Sequence, residues 1–180
     1  FEGYFEDQGP ALFSELLEGR SGRSTVVEAK TAVERIQPIQ GASLLGALEL
    51  SRGCGRGCQF CAMARTKMDH LPQDSILADL EANVAQGMRS VVSGSEDFFR
   101  YGAQGLKPDF DRLRALLQEM QTIKGLSFMQ IDHANVTSVL QLTDEHLKEI
   151  RRLLTWERPT RYLWLNMGVE SANGHLVAQN

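Results

Sequence analysis

The three cysteines of the chain, Cys54, Cys58 and Cys61, lie within one short stretch, SRGCGRGCQFC, at residues 51–61. Glycines and arginines surround them, which is typical of a polar, flexible loop and not of a buried core segment. An odd number of thiols cannot all pair as disulfides, and the chain has no other cysteine. The spacing therefore indicates a site for a metal or a metal cluster.

The residues alone leave four interpretations of this loop open. Buried structural thiols would need apolar neighbours, and disulfides would leave one cysteine over. A structural zinc site needs four ligands, but the nearest histidine, His70, lies nine residues beyond Cys61. An iron-sulfur cluster fits the spacing best, because three thiolates can each bind one corner of a cubane while the glycines let the backbone approach it. One iron would then stay open to a small molecule.

Strands and helices alternate along the chain around this loop. The strand candidates are residues 44–51, 89–94, 126–132 and 161–168, and amphipathic helices are predicted between them. Strands joined by helices of this length are parallel, with right-handed crossovers. The sequence therefore predicts an α/β fold with a parallel sheet covered by helices.

The predicted helices carry recognisable end signals. The first spans about residues 73–86, with Asp74 as its N-cap and Gly87 just past its end. The second begins behind Pro108, and the third has Thr143 as its cap.

Ligands of parallel α/β sheets bind beyond the carboxyl ends of the strands. The segments that follow the four predicted strands are residues 54–61, 94–97, 130–135 and 168–171. We expect the functional residues to lie in these four segments.

The segment SRGCGRGCQFC resembles the cluster motif of the radical S-adenosylmethionine (SAM) enzymes, with Phe60 in the aromatic position before the last cysteine. The resemblance implies a partial or full βα barrel, usually of six βα units. It also implies that Cys54, Cys58 and Cys61 bind a 4Fe-4S cluster and that SAM chelates the open iron through its amino and carboxylate groups. Arg52 and Arg56 are expected to offset the negative charge of the cluster.

The same resemblance assigns SAM contacts after the second strand. Members of the family carry a short Gly-Glu motif there, and the matching residues are Gly94, Ser95 and Glu96 in the stretch SGSED. A loop of solvated acidic residues is the alternative.

The third and fourth strands carry the remaining expected SAM contacts. The stretch MQIDHAN resembles the place where coproporphyrinogen-oxidase-like and methylthiotransferase-like members hold the ribose, which implies that role for Gln130. The stretch LNMGVESAN resembles a GxES stretch of the methylthiotransferase-like and cobalamin-binding branches and implies Glu170 and Ser171 near the ribose hydroxyls. The alternative for Glu170 is an N-terminal helix cap. No catalytic residue is assigned.

The resemblance covers residues 44–180 and stops after the fourth predicted strand and the start of its helix. We therefore expect a partial radical SAM (β/α)6 barrel, truncated after the fourth strand, preceded by an extension or linker at residues 1–43.

Composition narrows the choice of partners. The net charge is -4, and the 19 basic residues are spread out, so no nucleic-acid surface is indicated. No membrane span or secretion signal is recognised, and a cytoplasmic location is expected.

The expected function is a radical SAM enzyme of unknown substrate, with methyl transfer, methylthio transfer or rearrangement as candidate reactions. A flavodoxin or ferredoxin is the expected reductant, and cobalamin is a candidate cofactor of a separate domain. The alternative is an iron-sulfur or zinc protein with a structural or electron-transfer role and no SAM chemistry.

Overall fold

The computed structural model describes residue 18, residues 32–157 and residues 160–178. The chain divides into two compact units, Phe1–Ile36 and Gln37–Asn180. Most of the predicted extension at residues 1–43 lies outside the described residues, and that domain boundary stays a prediction.

The second unit contains short strands and helices in alternation. The strands are β1 (Ala47–Glu49), β2 (Ser51–Arg52), β3 (Asp69–His70), β4 (Ser90–Gly94) and β5 (Phe128–Ile131). The helices are α1 (Gln73–Ala85), α2 (Phe110–Met120), α3 (Val136–Val139), α4 (Asp144–Leu153) and α5 (Gly174–Ala178). None of the helices in the described residues combines the length and apolar character needed to span a lipid bilayer.

The main sheet is parallel, as predicted, with β4 between β1 and β5. Glu49 is opposite Gly94, and Ser93 is opposite Ile131, so the carboxyl ends of the three strands lie along one edge. The α/β prediction is confirmed. The described residues contain three parallel strands, and closure into a (β/α)6 barrel and truncation stay predictions.

The prediction of a fourth strand at residues 161–168 is wrong, because this segment forms no strand. An alternation of side chains is present, since Leu163 and Leu165 are half-buried while Tyr162 and Trp164 are exposed. A strand also needs a ladder of main-chain hydrogen bonds. Within the described residues, one main-chain hydrogen bond joins this segment to the chain after β5: the Ala134 amide donates to the Asn166 carbonyl at 2.9 Å.

The three main helices follow their predicted positions closely. Asp74 is not the N-cap of α1, because Pro72 occupies that position and Asp74 lies in the first turn. Gly87 ends α1 with a φ of +87°, as predicted. Thr143 caps α4 as predicted, and its side chain accepts a hydrogen bond from the His146 amide in a capping box.

The core lies between the sheet and the helices α1, α2 and α4. Its fully buried members include Leu48, Ile76, Leu80, Leu113, Leu117, Met129, Ile150, Phe98 and Phe99. Phe98 and Phe99 meet edge to face, with ring centroids 5.4 Å apart. They form a short 3-10 turn directly after the carboxyl end of β4, so the core fixes the backbone of the segment that follows this strand.

Candidate functional site

The cysteine loop is closed at its base by two antiparallel strands. The strand predicted at residues 44–51 is interrupted at Leu50: β1 ends before it, and β2 begins after it and turns away to pair with β3. Ser51 is opposite His70, and Arg52 is opposite Asp69. Residues 53–68 therefore form one loop at the carboxyl edge of the parallel sheet, where the sequence places the site.

Main-chain hydrogen bonds shape the interior of this loop. The Cys54 amide donates to the Thr66 carbonyl, and the Gly57 amide donates to the Ala64 carbonyl, each at 3.0 Å. Gly53 has a φ of +79°, and a Cβ there would lie 2.9 Å from the Thr66 carbonyl oxygen. Only glycine fits at this position, which explains one of the glycines beside the cysteines.

Each of the three cysteines is free and half-buried. In the described part of the chain, no three His, Cys, Asp or Glu side chains converge closely enough to hold one metal ion. Three thiolates are a ligand set suited to an iron-sulfur cluster, in which each thiolate binds a different iron, whereas a structural zinc site needs four ligands around one ion. Phe60, between the second and third cysteines, is 59% exposed.

A buried ion pair joins the cysteine loop to the end of β4. Arg56 donates to the Asp97 carboxylate at 2.8 Å, and the Asp97 side chain is fully buried. Arg56 also donates to the Ser138 and Thr137 hydroxyls, each at 2.6 Å. The loop is thus attached to the start of α3 as well as to β4.

Asp97 is also held by its neighbours at the sheet edge. It accepts hydrogen bonds from the Ser138 hydroxyl at 2.7 Å and from the Asn135 amide at 3.3 Å. The Asp97 amide donates to the Ser95 hydroxyl, which lies 2.6 Å from the Ser51 hydroxyl. Asp97 therefore connects the chain segments that follow β2, β4 and β5.

A second arginine, Arg100, supports the first cysteine. Its guanidinium donates to the Cys54 carbonyl at 2.8 Å and to the Gly105 carbonyl at 3.0 Å. Burial lowers the pKa of Arg100, and the nearby Arg56 lowers it further, while Asp97 and the Cys54 side chain raise it.

The expectation that Arg52 and Arg56 offset a cluster's charge stays a prediction. Arg52 pairs with Glu49, and Arg56 pairs with Asp97, so a carboxylate already faces each guanidinium. A positive charge paired in this way has a weaker effect on a third charged group.

The residues expected to contact SAM after β4 differ in exposure. Gly94 ends the central strand and accepts a hydrogen bond from the Leu50 amide at 2.8 Å. Ser95 is buried against Ser51, whereas Glu96 is exposed. Glu96 is thus open to a ligand, and the Gly-Glu role stays a prediction.

The later expected contacts lie on β5 and before α5. Gln130 is an exposed side chain of β5, opposite Val92 in the register. Glu170 is exposed, and its carboxylate folds back beside Gly168. The structure contradicts the alternative that Glu170 caps a helix, because the Asn173 side chain accepts the His175 amide at the start of α5, at 3.0 Å. The Ser171 hydroxyl accepts the Asn173 amide at 3.0 Å.

Sequence reasoning missed Asp97 and Arg100 as site residues. Asp97 lies in a segment that the sequence indicates, but its acidic neighbour Glu96 was preferred. A local signal exists, since the two phenylalanines that follow Asp97 are of a residue type that is most often buried and so hold the adjacent backbone near the core. No comparable local signal distinguishes Arg100 from an exposed arginine.

The fold and the site define the class of protein: a parallel βα sheet with a three-cysteine loop at its carboxyl edge. Residues 48–177 match the Radical SAM superfamily. The chain belongs to the radical SAM superfamily, and this confirms the family that the cysteine motif predicted.

Three curated relatives are each named ribosomal protein uS12 methylthiotransferase RimO. The protein from Frankia alni is 33% identical over 87 residues, which are 47% of this chain and 16% of that protein. The protein from Christiangramia forsetii is 24% identical over 140 residues, covering 64% of this chain and 31% of that protein. The protein from Desulfitobacterium hafniense is 24% identical over 147 residues, covering 81% of this chain and 30% of that protein. The chain thus spans less than a third of the length of these relatives.

Proposed function

We propose that this chain is the cluster-binding and SAM-binding part of a radical SAM enzyme. The observation that carries the proposal is the Cys54–Cys61 loop at the carboxyl edge of the sheet, inside the segment that matches the superfamily. When bound, a 4Fe-4S cluster of this family supplies the electron that cleaves SAM and yields a 5'-deoxyadenosyl radical. A flavodoxin or ferredoxin is the proposed class of electron donor.

The chain's own residues prepare the loop for this role. Gly53 and the hydrogen bond from the Cys54 amide to Thr66 set the backbone on either side of the first cysteine. The Arg56–Asp97 pair holds the middle of the loop, between Cys54 and Cys58. A loop fixed at its base and at its middle presents its thiols with little loss of conformational entropy on binding.

SAM binding is proposed for the exposed polar side chains that follow the strands. Glu96 and the Gly94–Ser95 backbone would hold the amino group, while Gln130, Glu170 and Ser171 would lie near the ribose. A carboxylate is suited to paired hydroxyl donors, because it accepts hydrogen bonds through both oxygens.

Among the candidate reactions, methylthio transfer is favoured by the activity that gives these relatives their name. The match covers at most 31% of these three proteins, so a shared substrate does not follow from it. Cobalamin in a separate domain and a cytoplasmic location stay predictions.

An anaerobic calorimetric titration of SAM onto the cluster-loaded protein tests the proposal. We expect saturable binding in the wild type. Glu170→Gln is expected to weaken binding about tenfold or more, because a charge-assisted hydrogen bond contributes about 1.5–3 kcal/mol. Glu119→Gln makes the same chemical change at an exposed position on α2 and should bind SAM like the wild type. Absence of SAM binding to a protein that holds its cluster would favour the structural or electron-transfer alternative.

A further inference from the structure

The arginines around the cysteine loop differ in whether a carboxylate pairs with the guanidinium. Arg52 and Arg56 each face a carboxylate, from Glu49 and Asp97. Arg100 is only 4% exposed, and its guanidinium donates to two main-chain carbonyls, those of Cys54 and Gly105.

A buried guanidinium without its own carboxylate is energetically unusual. Removing a charge from water is strongly unfavourable unless an opposite charge compensates for it, and a carbonyl supplies only a dipole. Asp97 is the nearby acid, but its carboxylate is already bonded to Arg56 and Ser138. Asp97 therefore pairs directly with Arg56 and acts on Arg100 only through space, so the surroundings of Arg100 are suited to a further anion.

The position of Arg100 indicates which anion this is. One of its two acceptors is the carbonyl of Cys54, 2.8 Å from its Nη1 atom, so the charge lies beside the first cysteine of the loop. Thiolates and the cluster that they bind are anionic.

We propose that Arg100 is the charge partner of the Cys54 corner of the iron-sulfur cluster and raises the reduction potential of that cluster. This inference depends on cluster binding, the first part of the proposed function. The reaction concerned is the uptake of one electron from a low-potential donor, with no proton gained, so the group becomes one unit more negative. A buried positive charge stabilises the more negative form, and burial limits its screening by water and salt.

The test is an anaerobic redox titration of the reconstituted protein with dithionite and mediators. The electron paramagnetic resonance signal of the reduced cluster is measured at each potential. Arg100→Gln removes the charge, and we expect an equilibrium constant for reduction about tenfold lower, which is a midpoint about 59 mV more negative for a one-electron couple. Arg100→Lys keeps the charge and should remain close to the wild-type midpoint. Arg65→Gln makes the same charge change at an exposed position of the same loop, where water screens it, and should leave the midpoint unchanged.

The outcomes separate this inference from the proposed function. If the wild type takes up no cluster, the proposed function fails. If it takes up the cluster and Arg100→Gln titrates with the wild-type midpoint, the charge proposal is overturned while cluster binding stands. If Arg100→Gln loses the cluster, the midpoint potential of Arg100→Lys tests the proposal instead. A midpoint of Arg100→Lys close to that of the wild type supports the proposal. A shifted midpoint in Arg100→Lys, or its failure to load, overturns the proposal, because charge alone is then insufficient.

Discussion

Replacement of Cys58 by alanine is expected to abolish the brown chromophore that forms after anaerobic reconstitution with iron and sulfide. Bound iron should fall from about four atoms per chain to background, because the variant keeps only two of the three cysteine thiolates that hold the cluster. The folded structure should survive, since Cys58 is half-buried in a loop and its side chain is not part of the core. Iron and sulfide assays together with circular dichroism measure both quantities.

Met63→Ala is the matched control for this experiment. Met63 lies in the same loop, is 39% exposed and also carries a sulfur atom, but iron-sulfur clusters are held by cysteine thiolates. The control should keep its colour and its iron. A coloured, iron-loaded Cys58→Ala protein would show that Cys58 is not a ligand.

Replacement of Asp97 by asparagine is expected to destabilise the protein by about 3 kcal/mol or more, because breaking a buried ion pair leaves the other charge uncompensated. The side chains involved are 0% exposed for Asp97 and 11% exposed for Arg56, so water cannot replace the lost partner. Urea unfolding at equilibrium measures this loss. Cluster uptake by the variant should fall as well, because Arg56 lies between the first two cysteines.

The surface pair of Asp111 and Arg114 provides the control. Its geometry is similar, with 2.7 Å between Asp111 Oδ1 and Arg114 Nη2, but the Asp111 side chain is 80% exposed. Asp111→Asn should therefore change the stability by no more than about 0.5 kcal/mol. Equal effects of the two substitutions would mean that burial does not strengthen the Asp97 pair, and the proposed attachment of the loop would be wrong.

Features encoded by nearby residues could be predicted from the sequence. The α4 helix is an example, since Thr143 caps it and Arg151 and Arg152 lie in its last turn, where they match the helix dipole. The spacing of the three cysteines identified the loop and the superfamily in the same local way. The strands β4 and β5 were predicted because each is a short apolar run between helices.

Features that depend on distant residues could not be predicted in this way. Arg56 and Asp97 are 41 positions apart, and Arg100 and Cys54 are 46 positions apart, so no window of sequence contains either pair. The error at residues 161–168 has the same origin. Its side-chain alternation is a local property, whereas the missing ladder of hydrogen bonds depends on a partner strand.

Mössbauer spectroscopy of protein reconstituted with the Mössbauer-active iron isotope tests the central claim most directly. If three cysteines hold a cubane and leave one iron open, addition of SAM should change the signal of about one iron in four and leave the others as they were. Four equivalent irons that do not respond to SAM would contradict the claim, as would a protein that takes up zinc in place of the cluster.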